Sequence, residues 1–195
     1  MLLLSCLLTI CSCSFIEDKL GGLFGGSASG LGAFEDAIKN SNASNVTVES
    51  VVETELGTLS SKIVVAYKAD GSAVITYTYE KFNLIGEGAD NEDKTTTTVT
   101  INRAADGTFS GDMPEGVDLS AAAASPALNL APIKDAATIN ESSDVLTATV
   151  PAANTAEVFG SEFSKDVNLE ISLNAGVLKF IELTFEGGSI TYTYA

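Results

Sequence analysis

The 195-residue sequence contains no histidine, and its three cysteines, Cys6, Cys11 and Cys13, all lie within the first 13 residues. Histidine is the side chain most often used as a general base and as a transition-metal ligand near neutral pH. The remainder of the chain also has no thiol for a disulfide, a metal or a nucleophile. We therefore expect a fold held together by packing alone, without a metal site or a cofactor. No nucleophile is accompanied by a candidate base, so we do not expect an enzyme.

Basic residues are also scarce, because 10 Lys and Arg oppose 26 Asp and Glu and give a formal net charge of -16. Nucleic-acid binding needs basic side chains that displace counterions from phosphates, and this surface would repel a polyanion. The charge therefore excludes a nucleic-acid partner. It also opposes self-association, so we expect a monomer.

A short apolar run begins at Leu2 and ends with Ile10-Cys11-Ser12-Cys13, before the first charged residue, Glu17. The four residues resemble the lipobox of bacterial lipoproteins. The resemblance implies that residues 1–12 are a signal peptide, that Cys13 is lipidated, and that the protein is anchored outside the cytoplasm to the cell membrane or cell surface. Signal peptides open with a basic residue, yet none precedes Lys19, so we expect the true start to lie upstream. The alternative is an apolar N-terminus that carries ordinary cysteines.

The chain after Cys13 divides into a tether and one domain. Residues 13–30 are dominated by Gly and Ser and are typical of a flexible tether, and residues 31–195 suffice for a single domain. The domain begins with a predicted helix, Leu31 to Asn40, because Leu31, Phe34 and Ile38 recur at three and four residues.

After this helix the hydrophobic period changes to two, which predicts strands. We expect turns at Asp70-Gly71 and Asp106-Gly107, short helical turns between Pro114 and Ala137, and one helical turn between Pro151 and Gly160. The expected strands are Val46–Leu56, Ile63–Lys68, Ala73–Phe82, Thr95–Asn102, Thr108–Ser110, Val145–Val150, Val167–Asn174, Val177–Glu186 and Ile190–Tyr194.

One five-residue segment occurs twice, as residues 75–79 and again as residues 190–194, with the sequence Ile-Thr-Tyr-Thr-Tyr. Its tyrosines and isoleucine lie on one face of each strand, where they either line a ligand cavity or fill the core. The candidate cavity residues, including the helix stripe, are Leu31, Phe34, Ile38, Ile75, Tyr77, Tyr79, Ile190, Tyr192 and Tyr194. We expect Phe34 to pack against the two repeated strands. The acidic loop from Glu87 to Asp93 is interpreted as a solvated hairpin tip.

These elements predict a mainly β (α+β) domain: a strongly curved antiparallel sheet, or half-barrel, of about eight or nine strands. The N-terminal helix and the central segment would cover its concave face. This order resembles the LolA/LppX-like lipid-carrier lipoproteins of the cell envelope. The resemblance implies a tethered protein that binds or carries an apolar, lipid-like ligand. The alternative is a surface interaction or scaffold module with a solid core that binds an envelope protein or a glycan.

Overall fold

A computed structural model describes residues 31–82, 94–111, 128–133, 138–141 and 144–195. Within these ranges ten strands form one open antiparallel sheet, and nine of them are four residues or longer. The strands are β1 (Asn45–Thr54), β2 (Gly57–Tyr67), β3 (Ala73–Phe82), β4 (Lys94–Arg103), β5 (Phe109–Gly111), β6 (Thr138–Glu141), β7 (Val145–Val150), β8 (Val167–Asn174), β9 (Val177–Phe185) and β10 (Gly188–Tyr194). The mainly β prediction is confirmed.

The sheet consists of two meanders joined at its centre, in the order β5-β4-β3-β2-β1-β10-β9-β8-β7-β6. The first and last strands of the domain pair with each other, with Val48 opposite Tyr192. Two backbone hydrogen bonds between Asn45 and Ala195, of 2.9 and 3.0 Å, extend this pairing to the end of the chain. The C-terminal strand is therefore held between two neighbours in the middle of the sheet.

Alternating side chains give the sheet one apolar face and one polar face. On the apolar face, the register aligns a row of apolar residues across eight strands. From β4 to β7 the row reads Val99, Tyr77, Ile63, Val48, Tyr192, Ile181, Ile171 and Leu146. All but Val99 are buried. The two copies of the repeated segment thus contribute Tyr77 and Tyr192 to the same row, on either side of the β1–β2 hairpin.

Among the residues that the structure describes, two short α-helices accompany the sheet. Helix α1 (Leu31–Lys39) confirms the predicted N-terminal helix, with Leu31 and Phe34 buried. The strands nearest to its backbone are β8 and β9, whereas we expected the repeated segments in β3 and β10 to be its neighbours. Among the described residues no helix is both long and apolar enough to span a membrane.

Helix α2 (Thr155–Phe159) follows a single 3-10 turn, Ala152–Asn154, and confirms the helical turn expected after Pro151. Gly160 ends it with a left-handed φ of 68°, a backbone conformation that glycine adopts without steric cost. The Thr155 side chain is fully buried. Its hydroxyl donates to the carbonyl of Ala152 at 2.9 Å and accepts from the backbone N–H of Phe163 at 2.9 Å. This one side chain joins the helix to the segment that leads into β8.

Several strand boundaries differ from the sequence-based expectation, most of them by one or two residues, and the largest difference is in β2, which begins at Gly57 and not at Ile63. We expected the first strand to continue to Leu56, but β1 ends at Thr54 and the chain turns before Gly57. The Thr54 hydroxyl accepts from the Leu56 N–H at 3.2 Å and donates to the Gly57 carbonyl at 2.8 Å, which closes the turn. Leu56 is consequently 37% exposed. Strand β6 was not predicted, and most of the expected helical excursion between residues 114 and 137 lies outside the described residues.

Candidate functional site

The residues predicted to line a cavity all belong to, or pack against, one hydrophobic core cluster. Phe34 and the repeated strands are therefore in the same core, although the helix backbone lies nearest β8 and β9. Seven of the nine are buried, and Ile38 and Tyr79 are partly buried at its margin. The buried ones are Leu31, Phe34, Ile75, Tyr77, Ile190, Tyr192 and Tyr194.

The packing around these residues is close. A side chain that lines a cavity wide enough for water keeps some accessible area, but Phe34 is only 1% exposed, Ile75 0% and Tyr77 1%. The rings of Tyr77 and Tyr79 stack with their centroids 4.9 Å apart. Burial, with a smaller contribution from Tyr79, raises the pKa of Tyr77 to about 12. This part of the apolar face is a packed core.

One hydroxyl pair interrupts the apolar face. Ser50 of β1 lies directly opposite Ser61 of β2, and their hydroxyl oxygens are 2.8 Å apart. Ser50 is buried between Ser61 and Ile190, its neighbours on the two adjoining strands. Because the two hydroxyls satisfy each other, they are retained in the core at little cost. They do not by themselves indicate a ligand.

A groove of about 300 Å³ lies on the polar face, across β7, β8 and β9. Hydroxyl, amide and carboxylate groups line it, together with the backbone of two inward-facing residues. Its lining residues are Thr147, Ala148, Thr149, Asn168, Leu169, Glu170, Glu182 and Thr184. The groove is therefore on the opposite side of the sheet from the predicted cavity residues.

Strand register positions each polar group of the groove. Glu170 of β8 lies directly opposite Glu182 of β9, and Thr147 of β7 lies on the other side of Glu170. In the neighbouring row the Thr149 hydroxyl donates to the side-chain oxygen of Asn168 at 2.8 Å. This bond uses the amide oxygen and leaves the amide N–H groups of Asn168 as donors. The groove thus presents both hydrogen-bond donors and acceptors to a ligand.

The sequence contained part of the signal for this groove. The alternation of Asn168 and Glu170 with Val167 and Leu169 marks a polar face, but it does not say which polar residues lie across from one another. The opposition of the two carboxylates depends on the register of the β8–β9 hairpin. That register is shifted by an irregularity between Ser172 and Leu173.

Comparison with known proteins does not assign the chain to a family. No protein-family model matches it, and no curated protein matches it either. Among the described residues, no group of three or more Cys, Asp or Glu side chains is arranged to hold a metal ion. The acidic loop from Glu87 to Asp93, the Gly/Ser tether and Cys13 lie outside the described residues. The geometry of the polar groove is thus the basis for a functional argument.

Proposed function

We propose that this protein is a membrane-tethered, extracytoplasmic binding module whose groove on the polar face holds a polar ligand, a glycan or a segment of an envelope protein. The observation that carries the proposal is the contrast between the two faces of the sheet. The candidate cavity residues are closely packed, whereas the polar face has a groove of about 300 Å³. Binding sites need concavity together with a few convergent polar groups, and the groove combines them.

The chemistry of the groove favours a ligand rich in hydroxyl or charged groups. Carboxylates accept hydrogen bonds strongly, and the amide of Asn168 and the hydroxyl of Thr184 supply donors. Phe180 lies two residues before Glu182 in β9, on the same polar face, and is half-buried. It adds an apolar surface beside the groove against which a sugar ring or an aliphatic side chain would pack.

The tether is the second part of the proposal. A lipid on Cys13 would anchor the chain, and the net charge of -16 would hold the domain away from anionic lipid. One acyl chain gives only marginal anchoring, so stable retention implies more than one. The variant Cys13→Ala should move the protein from the membrane fraction to the soluble fraction without unfolding it. Cys11→Ala is the matched control and should remain in the membrane fraction. The opposite result would assign the anchor to Cys11.

The alternative function, transport of an apolar ligand in a curved half-barrel, is favoured by one observation. The apolar face runs across eight strands, and α1 and α2 are the two described helices available to cover it. In that case α1 would be a lid, and the core around Phe34 would open to admit a lipid-like molecule. The two functions make opposite predictions about apolar ligands.

The deciding experiment is titration of the purified protein with an apolar fluorescent dye, with mass spectrometry of any lipid that copurifies. The binding module should take up no dye stoichiometrically and carry no lipid other than the acyl chains attached covalently to Cys13. Stoichiometric dye binding that is blocked by a copurifying lipid would support the lipid-carrier function and reject the binding module.

The groove itself is tested by filling it. Thr184→Tyr places a ring in the groove, and Thr100→Tyr places the same ring on the exposed polar face of β4. Retention of the protein by purified cell-wall glycan should fall in the first variant and persist in the second. Equal retention of both variants would place binding outside the groove.

A further inference from the structure

The pairing of β2 with β3 stops short of the ends of both strands. Strand β2 begins at Gly57 and β3 ends at Phe82, but the last pair that joins them is Ser61 with Tyr79. Beyond this pair, β2 stays paired with β1 as far as Gly57, and β3 stays paired with β4 as far as Phe82. The sheet therefore forks at this end, between residues 57–60 of β2 and residues 80–82 of β3.

The first hydrogen bond inside the fork is made by a side chain. Hydrogen-bonded pairs recur at every second residue of an antiparallel ladder. At the turn between β2 and β3 the Lys68 N–H donates to the Ser72 carbonyl at 2.8 Å, which fixes the positions of these pairs along the ladder. By this spacing the next backbone pair would join Ser60 to Glu80. The Ser60 N–H instead donates to the side-chain carboxylate of Glu80 at 2.8 Å.

A second side chain spans the fork from β4. The Lys94 ammonium donates to the carbonyl of Thr58, which faces the same side of β2 as the Ser60 N–H because the two residues are two positions apart. Lys94 lies opposite Phe82, and its Nζ is 5.7 Å from the centre of the Phe82 ring. The same Nζ is 3.8 Å from a carboxylate oxygen of Glu80. The two charged side chains thus provide the acceptor and the donor that a strand backbone would provide.

The charges of this pair are partly shielded from water. The side chains of Lys94 and Glu80 are each 27% exposed, against 52% for Lys62 and Glu49, an ion pair that joins β2 to β1. Hydrogen bonds from Ser60, with a smaller contribution from the Lys94 charge, hold the pKa of Glu80 below its usual value. The carboxylate is therefore ionised at neutral pH, and hydrogen bonds to ionised groups are about twice as strong as neutral ones.

From these contacts we infer that Glu80 and Lys94 form a latch that keeps the sheet closed at the fork. When the latch is released, the pairing of β2 with β3 opens first from this end. Side chains change rotamer without unfolding the strands that carry them, so the latch opens while both hairpins stay intact. Opening would expose two backbone groups of β2 to water and weaken the pairs next to the fork, which lead to the buried pair of Ile63 and Tyr77. This device is independent of the groove and of the proposed function.

Hydrogen exchange of the backbone amides of the full-length chain tests the latch, because exchange reports local opening residue by residue. The two edges of β2 give separate readouts. Odd-numbered amides face β1, as the bond from the Tyr67 N–H to the Ser44 carbonyl shows, and even-numbered amides face β3. The amides of Ser60 and Val64 therefore report the β3 side, and the amide of Ile63 reports the β1 side.

The variant Glu80→Ala/Lys94→Met removes both latch contacts. The Ser60 amide should exchange about tenfold faster than in the parent, which corresponds to about 1.4 kcal/mol in the opening equilibrium. The Val64 amide should exchange faster by a smaller factor, because it lies further from the fork. The Ile63 amide should exchange as in the parent, since the pairing of β2 with β1 is untouched.

Two further variants separate the latch from a general loss of charge. Glu49→Ala/Lys62→Met removes an ion pair of the same composition whose residues lie within continuous ladders, and it should leave the Ser60 rate unchanged. Glu80→Gln keeps a side-chain oxygen that accepts from the Ser60 N–H, so its Ser60 rate should lie between those of the parent and the latch variant.

Three results would overturn the inference. The first is a Ser60 rate in the latch variant equal to that of the parent. The second is an equal increase at Ser60 and Ile63, which would mean that the β1–β2 hairpin loosens as a whole. The third is an equal increase of the Ser60 rate in the latch variant and in Glu49→Ala/Lys62→Met.

Discussion

Truncation of Phe34 is the most informative single change, because it tests whether the apolar face is a solid core. The side chain is 1% exposed and belongs to the same buried cluster as the repeated segments of β3 and β10. Truncating a buried phenylalanine to alanine removes its burial free energy and leaves a cavity, at a cost of about 3 to 5 kcal/mol. For a domain of this size, that loss corresponds to a fall of roughly 6 to 20 °C in melting temperature.

The measurement is urea unfolding of Phe34→Ala beside Ile38→Ala, a truncation in the same helix at a partly buried position. The second variant should lose less than the first, because more of its side chain already contacts water. The slope of the unfolding free energy against urea concentration should stay unchanged if the folded variant buries as much surface as the parent. A loss under about 1 kcal/mol in Phe34→Ala would refute the solid-core interpretation, because removing the ring from a lid that opens easily costs the folded state little stability.

Two further predictions concern single side chains with defined local roles. Thr155→Val should lower the free energy of unfolding by about 1 to 3 kcal/mol, because the N–H of Phe163 loses its acceptor next to a buried site. Thr155→Ser keeps the hydroxyl and should lose less stability. Equal losses in the two variants would show that the hydrogen bond is unimportant. Ala175→Gly should raise the free energy of unfolding by about 0.5 to 1 kcal/mol in the same assay, because φ is 51° at this alanine and a left-handed φ is strained for residues with a Cβ atom. Ala105→Gly, in a turn where φ is not positive, should lower the free energy of unfolding. Stabilisation by both glycines, or by neither, would contradict the strain argument.

Much of the strand pattern was accessible from the sequence because local signals specify it. The turns at Asp70-Gly71 and Asp106-Gly107 are present, with φ of 82° at Gly71 and 87° at Gly107. The β8–β9–β10 meander and its inward-facing apolar residues also follow the predicted alternation. In each case the signal lies within a few residues of the feature that it specifies, so no knowledge of distant partners is needed.

The errors arise where a side chain or a distant partner decides the outcome. The alternation that suggested a strand through Leu56 continues across a turn that the Thr54 hydroxyl closes, and hydrophobic period alone does not reveal such a turn. Four residues, Thr138–Glu141, form an edge strand beside β7 although they follow an Ala-rich segment that favours helix. The position of α1 near β8 and β9 depends on long-range packing, and the amphipathic stripe of the helix specifies only that it is buried.

The candidate site lies on the polar face of the sheet because most of the aromatic and aliphatic residues of its strands face the core. In the repeated segments Tyr77 and Tyr192 point inward with the isoleucines, so the threonines between them point outward. The same alternation in β8 and β9 places leucine and isoleucine inside and leaves Glu170 and Glu182 outside. Because side chains alternate with a period of two, a shift of one residue in the pairing would turn the side chains of β8 over relative to those of β9 and bury one of the two carboxylates, which is costly. The burial requirement therefore keeps both glutamates on the polar face, and the register of the β8–β9 hairpin places them opposite each other there.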